Sequence, residues 1–171
     1  MARKGSSAAR QRQPEEQEIV ITRIFDAPRD LVFKAWTEPE RVKRWWGPKG
    51  FTTPVCKIDL RPGGVCFSCM RSPDGKDYWS RGVFKEIVKP ERLVCTDSFA
   101  DEKGNKVSPR QYGMSPDWPD EAIITVTLDE HGGKTSFTLQ HAPIKPGKER
   151  DMCHQGWSES LDKLEDYLAK G

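Results

Sequence analysis

Apolar residues recur at two different periods along this chain, and the switch between them divides it. From Ile19 onward the spacing is mostly that of half-buried strands. From Glu149 to about Ala169 it becomes helical, with Cys153, Trp157, Leu161, Leu164 and Leu168 falling on one face. The opposite face carries Glu159, Asp162, Lys163, Glu165, Asp166 and Lys170. No other stretch offers a helix of comparable length. A curved sheet must then bury its inner face mostly against one rod, and a cylinder laid in a concave sheet leaves space beside it.

The remaining elements follow from alternation and from breakers. Glu18–Asp26 reads as a first strand, ended by Ala27-Pro28, with Pro28 placed for a first helical turn. Arg29–Thr37 predicts a short helix facing inward through Val32, Phe33 and Trp36; Pro39 opens a second one through Arg44, ended by Gly47-Pro48. Six strands follow: Phe51–Leu60, Gly64–Arg71, Tyr78–Val88, Arg92–Phe99, Ala122–Asp129 and Thr135–His141. Turns at Pro62-Gly63-Gly64, Pro73-Asp74-Gly75, Lys89-Pro90-Glu91 and His131-Gly132-Gly133 separate most of them, so neighbours pair antiparallel. One connection is long, Ala100 to about Glu121, and carries Tyr112, Met114 and Trp118. A loop of that length inside a compact domain reads as a lid. Residues 1–17 show no apolar period and read as a disordered tail, leaving 18–171 as a single domain. The class is α+β: about seven antiparallel strands curved around a long C-terminal helix, with two short helices after the first strand.

Charge and chemistry narrow the picture mainly by exclusion. With 28 basic and 26 acidic residues the net charge is only +2, so no global field favours nucleic acid or an anionic surface. No apolar run approaches the roughly 20 residues of a membrane span, and no secretory segment opens the chain, which places it in the cytoplasm. Five cysteines are an odd number for a disulfide framework, and reduced thiols are expected. Cys66 and Cys69 are three apart on a strand, which sends them to opposite faces and argues against a metal or redox pair. There is no nucleophile elbow, phosphate loop or dinucleotide fingerprint. Neither a cofactor nor a metal is expected.

Taken in order, several segments carry a family resemblance. They are Phe25-Asp26-Ala27-Pro28-Arg29-Asp30-Leu31-Val32-Phe33-Lys34-Ala35-Trp36-Thr37, Trp45-Trp46-Gly47-Pro48, Asp59-Leu60-Arg61-Pro62-Gly63-Gly64, Gly82-Val83-Phe84-Lys85-Glu86-Ile87, Pro90-Glu91-Arg92-Leu93-Val94 and Gly156-Trp157 with Leu161, Leu164 and Leu168. The chain resembles the START-like, helix-grip superfamily typified by the birch-pollen-allergen fold, and within it the activator of heat-shock-protein-90 ATPase homologue family. The resemblance implies a cavity between sheet and long helix, which in relatives holds lipids, other hydrophobic small molecules or polyketide-like substrates. It also implies a stress-response role with a heat-shock-protein-90-type chaperone as partner. Co-chaperone members carry a further N-terminal domain, whereas 17 residues precede the first strand here.

The candidate site residues are those that such a cavity would expose. Trp36, Phe67, Trp79, Phe84 and Trp157 are expected as apolar lining, Trp46 and Trp118 at the mouth, and Asp97 and His141 as polar groups. Trp45 and Trp46 are adjacent, so one plugs the core while the other points elsewhere. Gly156 costs a helix interior roughly 1 kcal/mol relative to alanine, which fits close approach to the sheet or space for a ligand. Asp97 shares a face with Leu93, Cys95 and Phe99, and His141 ends an apolar alternation. The pair either orients a polar ligand head, acts as acid and base, or satisfies itself. Cys153 and His154 are adjacent on the helix, about 100° apart, and do not chelate a metal by themselves. Three readings follow: a receptor for a small hydrophobic or amphipathic molecule, a co-chaperone-like interaction module, and a cavity enzyme using Asp97 and His141.

Overall fold

The structure is a computed structural model that describes residues 17–170. The expected disordered tail over 1–17 therefore lies, except for Gln17, outside the described residues. Gln17 is tied down, its carbonyl accepting from the Ile144 N–H at 2.6 Å.

Strand β1 (Ile19–Phe25) is followed by α1 (Arg29–Thr37) and α2 (Pro39–Val42), then by β2 (Thr52–Ile58), β3 (Val65–Arg71), β4 (Asp77–Val88) and β5 (Arg92–Ala100). A short 3-10 turn (Pro109–Tyr112) lies in the long connection; β6 (Ala122–His131), β7 (Lys134–Ala142) and α3 (Lys148–Ala169) complete the chain. The seven strands form one antiparallel sheet in the order β1-β7-β6-β5-β4-β3-β2. β2 to β7 is thus a continuous meander, as short turns demand. β1 closes onto the far edge beside β7, with Ile19 opposite His141 and Phe25 opposite Thr135.

The helical stripe read from the sequence is the one buried: Trp157, Leu161, Leu164 and Leu168 pack into the core with Phe25, Val32, Phe33 and Phe137. Alternation in β6 and β7 delivers Ile124, Val126 and Leu128, and Phe137 and Leu139, to that same core. From between Leu161 and Leu164 on α3, Lys163 donates to the carbonyls of Gly47 and Phe51 at 3.1 Å each and of Pro48 at 3.4 Å. Those bonds seat the Gly47-Pro48 turn against the helix. Gly156 makes the same approach possible: a Cβ there would lie 3.3 Å from Pro48 Cγ. The expected approach to the sheet is therefore an approach to this turn.

Two sequence readings of facing direction are corrected in β3 and β4. Phe67 lies opposite Arg81, and Cys69 opposite Trp79, so these four share one face. The partners on the inner face are Cys66 with Gly82 and Ser68 with Ser80. Trp79 therefore points away from the helix, and the Phe67 ring stacks on it there at 5.2 Å between centroids. Trp79 and Phe84 are an odd number of positions apart along the strand, and the β-bulge comes only after Phe84. Both cannot face inward; Phe84 does.

Candidate functional site

The tryptophan pair divides its labour. Trp45 is fully buried, and its Nε1–H donates to the Ala35 carbonyl at 3.0 Å, locking α1 to the following turn. Trp46 turns the other way, meeting Trp157 edge-on at 5.3 Å. Trp36 stacks between Phe137 and Trp157 at 5.6 and 6.1 Å, and its buried Nε1–H has no hydrogen-bond partner.

Beside this aromatic group, α3 does not fill the concave sheet. A cavity of about 240 Å³ is lined by Trp46, Pro48, Met70, Ser80, Asp97, Phe99, Trp118, Ile124, His141, Cys153, Gly156 and Trp157. A second chamber of about 90 Å³ lies deeper in the sheet, bordered by Trp36, Cys56, Cys66, Phe67, Phe84, Leu93 and Cys95. Trp46, Ser80, Asp97 and Ile124 line both. Gly82 borders the deeper chamber and lets β5 pass close to β4, since a Cβ there would meet Thr96 O at 2.1 Å and Cys66 Sγ at 3.1 Å. The nine side chains expected at the site thus separate. Trp46, Asp97, Trp118, His141 and Trp157 come together around the larger chamber, and Trp36 and Phe84 around the smaller. Phe67 borders the latter while its ring stacks outside, and Trp79 lines neither.

Most of the wall is apolar, and its polar end is built from three elements. His141 on β7 is buried, and its Nε2 lies 3.0 Å from Asp97 Oδ2 on β5. From α3, Trp157 Nε1–H donates to His141 Nδ1 at 3.1 Å, and Cys153 Sγ lies 3.9 Å from the same nitrogen. Indole nitrogen is only a donor, so Nδ1 accepts and Nε2 carries the proton given to Asp97. When neutral, the ring is held in this one tautomer; charging it would set a second N–H against the indole. Burial opposes charging the ring, but the hydrogen bond to Asp97 and then the Cys153 sulfur outweigh it, raising the pKa to about 9. The Trp157 N–H works against that rise, because a second proton on the ring would face it. Asp97 and Trp157 therefore pull on the same imidazole in opposite directions.

Three thiols, Cys56, Cys66 and Cys95, line the smaller chamber. Burial pushes Cys56 up to about 11. Cys66 and Cys95 hydrogen-bond one another, which lowers the first and, with burial, raises the second. Cys153 was not legible as a site residue in the sequence, where it reads as one apolar position of a helical stripe. Among the described residues, no group of three or more His, Cys, Asp or Glu side chains is placed to hold a metal ion.

The long loop caps this arrangement. Trp118 and Pro119 reach the larger chamber. The loop is fastened to α3 by Glu149, whose carboxylate accepts from Ser115 N–H and Ser115 Oγ–H at 2.7 Å each. It is fastened to the sheet by Tyr112, whose hydroxyl donates to Ala100 O at 2.6 Å and accepts from Trp79 N–H at 3.3 Å. The lid is a pinned segment with two named latches.

Comparison with known proteins agrees with this architecture. A family model described as Activator of Hsp90 ATPase homolog 1-like protein matches residues 26–169. Among solved structures, a protein from Nitrosomonas europaea is similar at 26% identity, covering 91% of this chain and 96% of its own, with TM-score 0.74. One from Chromobacterium violaceum is similar at 25% identity, covering 89% and 96%, with TM-score 0.74. One from Arthrobacter aurescens, at 24% identity, shares the fold with TM-score 0.77 over 93% of this chain and 90% of its own. The names of these three give an organism and no activity. No curated protein matches the chain. Among the described residues, no helix is long and apolar enough to cross a membrane.

Proposed function

The chain belongs to the Activator of Hsp90 ATPase homolog 1-like family, and from that premise we propose that it is a receptor for a small, largely apolar molecule with one polar end. The observation that carries this reading is the pair of adjoining chambers between sheet and α3, lined mostly by aromatic and aliphatic side chains. Their polar groups converge on one wall, at Asp97, His141 and Trp157, which is the usual plan of a small-molecule site. At about 240 and 90 Å³ the space lies at the small end of the range for such sites, roughly 300–1,000 Å³. The unpartnered Trp36 N–H supports the reading as well. Left unpaired, such a group costs about 1–3 kcal/mol, and a ligand acceptor in the deeper chamber would relieve it.

Thermal denaturation against a panel of medium-chain alcohols, ketones and compact aromatics tests this. A molecule that binds the folded state alone raises the melting temperature with concentration. Ser160 also lines the larger chamber, and filling the space with Ser160→Phe should abolish the rise. A panel without a single concentration-dependent rise removes the reading.

The family's name favours a second reading, contact with a heat-shock-protein-90-type chaperone. It predicts binding to such a chaperone and a change in its ATPase rate. Calorimetry at tens of micromolar with no heat of binding would remove it.

A further inference from the structure

The receptor reading uses Asp97 and His141 to orient a ligand and leaves the thiol beside them without a role. Cys153 Sγ lies 3.9 Å from His141 Nδ1, and His141 Nε2 lies 3.0 Å from Asp97 Oδ2. Thiol, imidazole and carboxylate thus run in series, supplied by α3, β7 and β5, and all three line the larger chamber. This is the order in which a base takes a thiol proton while a carboxylate holds the ring. In the neutral ring the tautomer is the required one: Asp97 takes the Nε2 proton, which leaves the Nδ1 lone pair on the side of the sulfur. A sulfur–nitrogen distance of 3.9 Å is long, but nucleophile–base contacts are commonly loose before substrate binds. Trp157 N–H shares the acceptor at 3.1 Å and must yield it for the proton to move. Among the described residues, Cys153 is the cysteine with a histidine contact.

We propose that Cys153 is a nucleophile that captures apolar α,β-unsaturated carbonyl compounds entering this cavity. The class follows from what surrounds the sulfur. Acyl transfer needs fixed N–H donors around a tetrahedral oxyanion, and the backbone N–H groups near Cys153 are spent inside α3. Conjugate addition spreads its charge over an enolate and needs no leaving group. The sulfur electron pair forms the C–S bond at the β-carbon, and the C=C π pair moves to the carbonyl as enolate. The proton that left Cys153 for His141 Nδ1 then goes to the α-carbon. Every atom of both reactants is in the adduct, and no oxidant, reductant or cofactor takes part. Asp97 acts through His141, as a positioning residue. The inference rests on the receptor reading, since the same chamber must admit the electrophile.

The test uses the full chain with benzylideneacetone and with its saturated counterpart benzylacetone, which cannot form the adduct. Intact mass and peptide mapping at neutral pH should show one adduct, on Cys153, formed at least about tenfold faster than on free N-acetylcysteine. Cys153→Ser should lose it and keep its melting temperature. His141→Gln should slow the reaction by about tenfold or more at neutral pH. That deficit should close as the pH is raised to about 9.5, where a thiol needs no base to react. The charged and titratable groups that face His141 are Asp97 and Cys153. A deficit that persists at high pH, a rate no better than N-acetylcysteine, or first labelling on another cysteine overturns the proposal. If His141→Gln does not fold, the wild-type and Cys153→Ser rates decide alone. A melting-temperature rise with benzylacetone but no adduct from the enone overturns the nucleophile and keeps the receptor. Neither rise nor adduct removes both.

Discussion

His141 holds one proton between two neighbours that want opposite things of it. Asp97 accepts from Nε2 and favours the charged ring, whereas Trp157 donates to Nδ1 and favours the neutral one. Against the lowering effect of burial, Asp97 and Cys153 raise the pKa from 6.5 to about 9. Nitrogen-15 NMR titration should therefore place His141 above the ordinary histidine value, with Trp157→Phe moving it higher and Asp97→Asn lower. A value raised on folding adds stability that is complete below about pH 6.5 and fades as the pH climbs through about 9. Asp97→Asn should flatten that part of the stability profile, read by urea denaturation at pH 6 and pH 9. An unchanged profile would mean that the carboxylate does not govern the ring. Asp97 and His141 were legible in the sequence because each is the polar member of an apolar alternation on a strand. Cys153 was not, because a thiol at a helical core position reads as a small hydrophobe until the facing strand is known. Trp79 was misread for a third reason: β4 begins with adjacent aromatics, Tyr78 and Trp79, and size alone does not say which faces inward.

At the scale of elements, α3 is both the core's rod and the cavity's hinge post. Its C-terminal half packs through leucines, and from the same half Lys163 ties it sideways to three carbonyls of the turn that presents Trp46. Burial lowers the pKa of this lysine, in keeping with an ammonium held among backbone oxygens. Lys163→Met keeps the stem and removes the bonds, so it should lower stability by about 1–3 kcal/mol. Denaturant unfolding checks the magnitude, and reduced ligand binding would show that the turn shapes the mouth. Glu149 serves the loop in the same way. Glu149→Ala removes both bonds to Ser115, so hydrogen exchange at Ser115 should speed up severalfold while the core amides of β6 and β7 stay protected. Equal exchange in both proteins would show that the latch carries no weight. The existence of this loop was readable from its length and prolines. Its latches were not, since they join residues from different elements, Ser115 and Glu149 being 34 positions apart.

The whole molecule follows from a mismatch of shapes that the chain makes visible early. One amphipathic helix meets seven antiparallel strands, and its apolar stripe is long enough to seal only part of the sheet. Where leucines line the stripe the interior is closed; where Cys153, Gly156 and Trp157 line it, space remains. Element order, class and most inward positions were therefore legible from periodicity, because a period is a local property. The shape of the space was not, because it depends on the bulge after Phe84, on Gly82 and on how near Pro48 comes to Gly156. The six tryptophans sample these regions separately, which makes them reporters of occupancy. Trp46, Trp118 and Trp157 line the larger chamber, Trp36 the smaller, while Trp45 is sealed in the core and Trp79 lies outside. Indole N–H resonances followed during titration with an apolar ketone such as benzylacetone therefore give the most direct measurement. Saturable shifts at Trp46, Trp118 and Trp157, with Trp79 unmoved, are the predicted result. Shifts confined to Trp79, or none at any indole for every apolar molecule tried, would contradict a ligand-holding interior.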